Sequence, residues 1–212
     1  GACILLLFLT ASQNSMTAMR ETAMDNMHTS LDARAEIIEE YVDKAEKLLI
    51  AYSKAPTVVN LLLHPEDQDN LEAAQAYTES FFGELDGWEG IYIAEWNTHV
   101  VAHSNPAVVG ITTREGEPLL QLQKAMEEAE GIYNTGIMIS PASGKLVLSL
   151  YCPVYDKSGE NILGYVGGAQ FADELRDLLD GLNVNGMESA RNYMINIETS
   201  THIFDEREEL IA

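Results

Sequence analysis

Between Gly90 and Ala172 apolar and polar residues alternate in short runs, whereas on either side they recur at helical spacing. The extended runs are Gly90 to Trp96, His99 to Ser104, Thr135 to Ser140, Lys145 to Tyr155 and Ile162 to Phe171. A helical run, Glu117 to Glu130, interrupts them after the second. Two strands, a helical crossover and three strands joined by tight turns predict a small antiparallel sheet in an α+β fold. Such a sheet is suited to holding a small ligand.

Ahead of the sheet, Ser12 to Ser53 contains neither Pro nor Gly. Met24, Leu31, Ile38, Ala45 and Tyr52 recur at heptad spacing, and Met27, Tyr41 and Leu48 follow three residues after members of that series, with Arg34 breaking it. The pattern predicts one long helix, about 60 Å at about 1.5 Å per residue, with a sticky face that a second copy or a following domain must cover. Pro56 ends or kinks it. A short helix over Thr57 to Leu63 follows, and then one over Asp69 to Leu85 with Asp69 as N-cap and Leu71, Ala74, Tyr77, Ser80 or Phe81, and Leu85 on one face.

A two-residue loop at Asn97-Thr98 would put Tyr92, Ala94 and Trp96 on one face with His99, Val101 and His103. The loop Gly110 to Gly116 carries Thr112, Thr113 and Arg114, and Pro118 suits the first turn of the crossover helix, which buries Leu119, Leu122, Ala125, Met126 and Ala129. Turns at Ala142-Ser143-Gly144 and Asp156 to Gly159 make the last three strands a meander. Gly164, Gly167 and Gly168 thin the fifth strand, which suggests close approach by something packed or bound over it. A helix over Asp173 to Leu182 follows.

Charge and the chain start narrow the function classes. With 34 acidic against 12 basic residues the surface repels phosphate backbones, so nucleic acid is excluded as a partner. Cys3 and Cys152 offer neither a disulfide framework nor a Cys-based zinc site. Residues 1–11 begin with the unbroken apolar run GACILLLFLT, which reads as the remnant of a transmembrane helix, with a buried helix end or signal remnant as the alternative. Catalytic signatures such as G-x-S-x-G, H-E-x-x-H or a phosphate-cradling glycine loop are missing, so the chain reads as non-enzymatic, and nothing in it calls for a cofactor. His99, His103 and His202 have no Cys or carboxylate at ligand spacing and are not assigned to a metal.

Near the end, Met194 to Phe204 repeats the pattern of Ile91 to Val101, with Glu198, Thr201 and His202 matching Glu95, Thr98 and His99. Tyr193 to Phe204 is therefore expected to open a second, related module. The long helix, HVVAHSNPAVVG from His99 and SGKLVLSLYCPVYDKSGENILGYVGG from Ser143 together resemble the extracellular Cache sensor family, a PAS-like fold of bacterial chemoreceptors and sensor kinases. The most specific element is Pro153-Val154-Tyr155-Asp156 with Gly159 and Gly164. The resemblance implies a transmembrane remnant at 1–11, a signalling helix at 12–55, a membrane-distal module at 56–185 and a truncated proximal module at 186–212. It also implies an extracytoplasmic location, membrane anchoring, a homodimer through the long helix and a small solute bound in the distal module of a chemoreceptor. A histidine kinase, a cyclic-dinucleotide enzyme or an inert dimerisation module are the alternatives.

Candidate ligand residues are Arg114, Tyr151, Trp96, Tyr92, His103, Tyr133 and Ser149. Arg114 is a scarce cation in a loop, and its guanidinium can hold a carboxylate through two parallel hydrogen bonds; the alternative is pairing with Glu115 or Glu117. The aromatics line a pocket or fill a core with equal ease, and Ser149 either donates into the cavity beside Tyr151 or bonds backbone. Members of the family that bind amino acids or amines carry an Arg-x-Trp-Tyr run and an Asp in the fifth strand. Here no Trp-Tyr pair follows Arg114, and Ala169 stands where the Asp is expected, so an organic acid is favoured over an amine.

Overall fold

The computed structural model describes residues 2–180, 193–197 and 201–205. The chain divides into two compact units, residues 1–40 with 175–212, and residues 41–174. Helix α1 (Ala2–Ser53) begins in the first unit and continues into the second, and within the first it carries Met24, Met27 and Leu31 about half exposed, at 54%, 46% and 55%. Among the described residues no helix is long and apolar enough to cross a membrane. Of the expected second module, strands β6 (Tyr193–Asn196) and β7 (Thr201–Asp205) pair antiparallel as a hairpin. Glu198 and the residues from 206 onward lie outside the described residues.

The second unit is built on a five-stranded, wholly antiparallel sheet. Its strands are β1 (Trp88–Glu95), β2 (Val100–His103), β3 (Tyr133–Ile139), β4 (Leu146–Tyr155) and β5 (Ile162–Phe171), in the spatial order β2-β1-β5-β4-β3. Helix α4 (Glu117–Glu128) is the crossover, with Pro118 in its first turn and Leu122 and Met126 buried. Because side chains alternate across a strand, Leu148, Leu150, Cys152 and Val154 of β4 and Ile91 and Ile93 of β1 project to one face, all nearly inaccessible.

The C-terminal part of α1 packs on that face. Tyr41 Oη donates to the Phe171 carbonyl at 2.6 Å, and the Cys152 thiol donates to Ser53 Oγ at 3.3 Å. The buried positions of this stretch are Tyr41, Ala45, Leu49 and Tyr52. Leu49 thus replaces the Leu48 expected from a heptad repeat, since a helix lying on a sheet follows its own 3.6-residue period and not the 3.5 of a supercoil. Gly168 makes the close approach possible, because a Cβ there would stand 2.7 Å from Trp88 and 3.2 Å from Leu49.

Helices α2 (Pro56–Leu63) and α3 (Gln68–Gly83) complete the layer. Asp67, not Asp69, caps α3, accepting from the Asp69 and Asn70 amides at 2.9 and 3.3 Å. Asp67 and Asp69 stand on either side of Gln68, and the one just outside the first turn reaches the orphan amides. Tyr52 donates to Thr78 Oγ1 at 2.6 Å, whose own hydrogen goes to the Ala74 carbonyl at 2.7 Å. Tyr77 and Phe81 pack on the Tyr52 ring. Gln75 then uses both ends of its amide on His103, donating to its carbonyl at 2.8 Å and accepting from its N–H at 3.1 Å. This closes the free edge of β2 to further strand pairing.

The β1–β2 connection differs from the two-residue loop expected. Glu95 N–H bonds the His99 carbonyl and Thr98 N–H bonds the Glu95 carbonyl, each at 2.9 Å, so the loop has three residues, Trp96 to Thr98. Thr98 takes a left-handed conformation at φ +68°. Ala94 in consequence pairs with Val100, not Val101, while Tyr92 keeps His103 as partner across the resulting register shift.

Candidate functional site

On the face of the sheet away from α1, alternation brings aromatic rings from three strands together. Tyr92 and Tyr151 flank Gly167 from the two neighbouring strands, and Tyr165 lies between Ala94 and Pro153. Gly167 has a geometric reason, because a Cβ at that position would run into the Tyr92 ring. Leu122 and Met126 of α4 close over Ala94, Tyr151 and Tyr165, with Tyr92, Trp96 and Tyr133 packed at the margin. Tyr165 meets Tyr92 edge-on at 5.9 Å and Tyr151 at 6.0 Å between centroids, and Tyr133 stacks on Tyr151 at 6.1 Å.

Into this cage reaches Arg114, from the loop between β2 and α4. Its Nη2 donates to Tyr151 Oη at 3.0 Å, and its guanidinium carbon lies 5.2 Å from the centre of the Tyr151 ring. None of the ion pairs among the described residues includes Arg114, so the alternative of pairing with Glu115 or Glu117 is not what forms. Burial disfavours the charged guanidinium, but the Tyr151 hydrogen bond and the neighbouring phenols outweigh it and the pKa is raised. Arg114 is therefore a permanent cation.

Tyr165 is fully buried, and its hydroxyl has no hydrogen bond of good geometry. The Tyr92 and Thr113 hydroxyls approach it as poorly aligned hydrogen-bond partners and pull its pKa down, but burial dominates and raises it, as it does for Tyr92. Arginine has no acceptor, so Tyr151 Oη must accept from it, which leaves the Tyr151 hydrogen to be given elsewhere. The cage thus presents unspent donors from Arg114 and Tyr151, and a Tyr165 hydroxyl held only by poorly aligned contacts to Tyr92 and Thr113. The groups that bear on the titration of Arg114, Tyr92 and Tyr165 are one another, Tyr151 and Thr113, with no Asp or Glu among them. Chemically this arrangement suits an anion carrying an apolar body.

The remaining expected residues occupy the surroundings. His103 stacks on Tyr92 with centroids 5.6 Å apart and planes 6° apart, and its Nδ1 accepts the Asn105 amide at 2.8 Å. Burial lowers its pKa. Ser149 is buried on the same strand face, opposite Ala169 and two residues before Tyr151. Tyr165 was not among the sequence candidates, because in Gly164-Tyr165-Val166-Gly167-Gly168 the glycines dominate the reading. The signal that could have found it is the strand period, which places Tyr165 and Ala169 on one face with Gly167.

A separate groove of about 460 Å³ lies at the β2 edge, lined by Pro65, Glu66, Leu71, Glu95, His99, Val100, Val101, Val109 and Gly110. It shares no residue with the aromatic cage. Among the described residues, no three His, Cys, Asp or Glu side chains converge as metal ligands would.

No protein-family model and no curated protein matches the sequence. Solved structures do. The sensor domain of the V. cholerae histidine kinase DctB superposes with a TM-score of 0.67 at 14% identity, over 88% of this chain and 68% of that one. The sensory domain of the Campylobacter jejuni chemoreceptor Tlp3 with isoleucine bound gives 0.65 at 13% identity, over 92% and 75%. An extracellular ligand-binding receptor from Desulfohalobium retbaense gives 0.57 at 17%, over 84% of this chain and 31% of that one. This chain has the fold of those sensory domains, with the long N-terminal helix and five antiparallel strands expected from the Cache resemblance in place.

Proposed function

We propose that the chain is the extracytoplasmic sensing domain of a membrane receptor, and that it binds a small organic solute, a carboxylate in preference to an amine, in the cage of Tyr92, Tyr151, Tyr165 and Arg114. The observation that carries this reading is the set of donors gathered in an apolar cluster with no Asp or Glu acting on it, above all the buried Tyr165 hydroxyl, which finds no hydrogen bond of good geometry within the protein. A buried donor without an acceptor is costly, and a carboxylate would satisfy two or three at once. An ammonium would meet donors only. Trp96, Tyr133 and His103 shape the margin, and Ser149 extends the face toward Ala169.

Sensing then requires that ligand favour one of two arrangements of the sheet relative to its helix. The links available are Tyr41 to Phe171, Ser53 to Cys152, and Glu46 to Asn134, where the Asn134 amide donates to Glu46 at 2.8 Å next to the cage residue Tyr133. This sensing step is common to chemoreceptors and histidine kinases. The apolar run at residues 1–11 serves as membrane anchor in this account, and a second copy covers the exposed Met24, Met27 and Leu31.

The test is a thermal-shift titration with acetate, propionate, lactate and succinate against methylamine and ethanolamine. At about a hundred times Kd a ligand adds about 2.7 kcal/mol of stability. Stabilisation by at least one acid, absent in Arg114→Ala, is expected. No stabilisation by any solute would favour a purely structural role.

A further inference from the structure

The most strained position in the described backbone is also tied to the cage. Among the described residues Thr98 is the only non-glycine with positive φ, at +68°, and it is fully buried. A three-residue hairpin loop ordinarily places glycine at this left-handed position, and β-branched residues adopt it rarely. What Thr98 has and glycine lacks is a hydroxyl. That hydroxyl accepts the Arg114 N–H at 3.0 Å and donates to the Arg114 carbonyl at 2.9 Å. The Thr98 carbonyl in turn accepts the Thr113 N–H at 3.2 Å.

The turn itself is fixed from the other side. Asn97 Oδ1 accepts the His99 amide at 2.9 Å, and Gln123 of α4 donates to the Trp96 carbonyl at 2.9 Å. Loop residues 113–114 belong to no helix or strand, and the isolated bridge from His99 to Thr112 is their nearest sheet pairing. One side chain therefore holds both polar groups of the Arg114 backbone, and through them the point from which the guanidinium reaches Tyr151.

We propose that Thr98 is a positioning residue for the ligand site, a latch whose hydroxyl fixes the Arg114 backbone so that the guanidinium is presented over Tyr151 before ligand arrives. Its functional half rests on the carboxylate reading above. Strain is retained at functional sites when the surroundings over-determine it, and here the four hydrogen bonds of one residue, three of them to residues 113–114, do so. Preorganisation of this kind raises affinity by removing the ordering step from binding.

The experiment compares Thr98→Gly, which relieves the backbone and deletes the hydroxyl, with Thr98→Ser, which keeps the hydroxyl, in the ¹⁵N-labelled 212-residue chain. The first readout is ligand-free: amide hydrogen exchange at Arg114 and the ring-current shift of the Arg114 Nε–Hε signal, with the Val166 amide as reference for global opening. In Thr98→Gly, Arg114 exchange should rise about tenfold or more and the ring-current shift should vanish while Val166 is unchanged, the scale expected for losing a net hydrogen bond or two. Thr98→Ser should stay within about twofold of the parent for both. Native Arg114 signals in Thr98→Gly, or a Thr98→Ser as defective as the glycine variant, would overturn the latch. An equal rise at Val166 would also overturn it, in favour of a turn that holds the whole unit. The second readout is calorimetric titration with acetate and propionate, expected to weaken about tenfold in Thr98→Gly alone. If the parent binds neither acid while the exchange result holds, the carboxylate reading fails and the latch stands.

Discussion

Replacing Tyr165 by Phe removes one oxygen atom from the centre of the cage and leaves the ring contacts at 5.9 and 6.0 Å to Tyr92 and Tyr151 in place. The hydroxyl removed is fully buried and makes no hydrogen bond of good geometry. Leaving such a group unpaired costs about 1–3 kcal/mol, so Tyr165→Phe is expected to stabilise the ligand-free protein by about 1 kcal/mol, or about 3–5 °C in Tm for a unit of this size. Urea unfolding followed by tyrosine fluorescence measures it, with an unchanged m-value showing that the gain is one of stability. The same variant should bind a carboxylate about tenfold more weakly, because a donor to the ligand is gone. The two effects have opposite signs, as expected where a site holds an unfavourable group for its ligand. A loss of about 1 kcal/mol on Tyr165→Phe would show instead that Tyr92 or Thr113 already satisfies the hydroxyl within the protein.

Gly167→Ala places a Cβ inside the Tyr92 ring, and overpacking of this kind should cost about 1–3 kcal/mol by urea unfolding and displace Tyr92; a neutral substitution would show that the ring moves freely. For His103, burial lowers the folded-state pKa, so the unfolded chain takes the proton first. Stability from this group is therefore complete above about pH 6.5 and falls as pH drops below it. The difference in urea midpoint between pH 7.5 and 5.5 should shrink in His103→Gln, and an unchanged difference would assign the slope to other groups. The exposed face at Met24, Met27 and Leu31 predicts a dimer in sedimentation equilibrium that Met27→Asp converts to monomer, whereas a parent protein that is monomeric at high concentration would remove this part of the account.

Much of the architecture was legible because period and chemistry agree locally. All five strands lie where alternation put them to within two residues at either end, and the crossover helix starts at the Glu117-Pro118 signal. The misreadings share a cause, which is tertiary context overriding local preference. Thr98 is a poor left-handed residue, so nothing in its own propensity announces a three-residue loop; the compensation comes from Arg114, sixteen residues on. Leu49 displaces Leu48 because the sheet, invisible to a heptad count, sets which azimuth is buried. Asp67 displaces Asp69 because either acid could cap the helix, and only the position of the first free amides decides. At the site, Arg114 and Tyr151 stand out by scarcity and strand face, and the structure joins them at 3.0 Å. Tyr165 was hidden among glycines whose role becomes apparent only when the Tyr92 ring is seen lying over Gly167.

The central claim is that the donors of Arg114, Tyr151 and Tyr165 are held for a carboxylate. A crystal structure of the chain grown with the most stabilising acid from the titration tests it most directly. Carboxylate oxygens are expected within hydrogen-bond distance of the Arg114 guanidinium and of the Tyr151 and Tyr165 hydroxyls, with the apolar body against Leu122 and Met126. Acid bound instead in the groove beside Glu66 and Glu95, with the Tyr165 hydroxyl still unpaired, would contradict it.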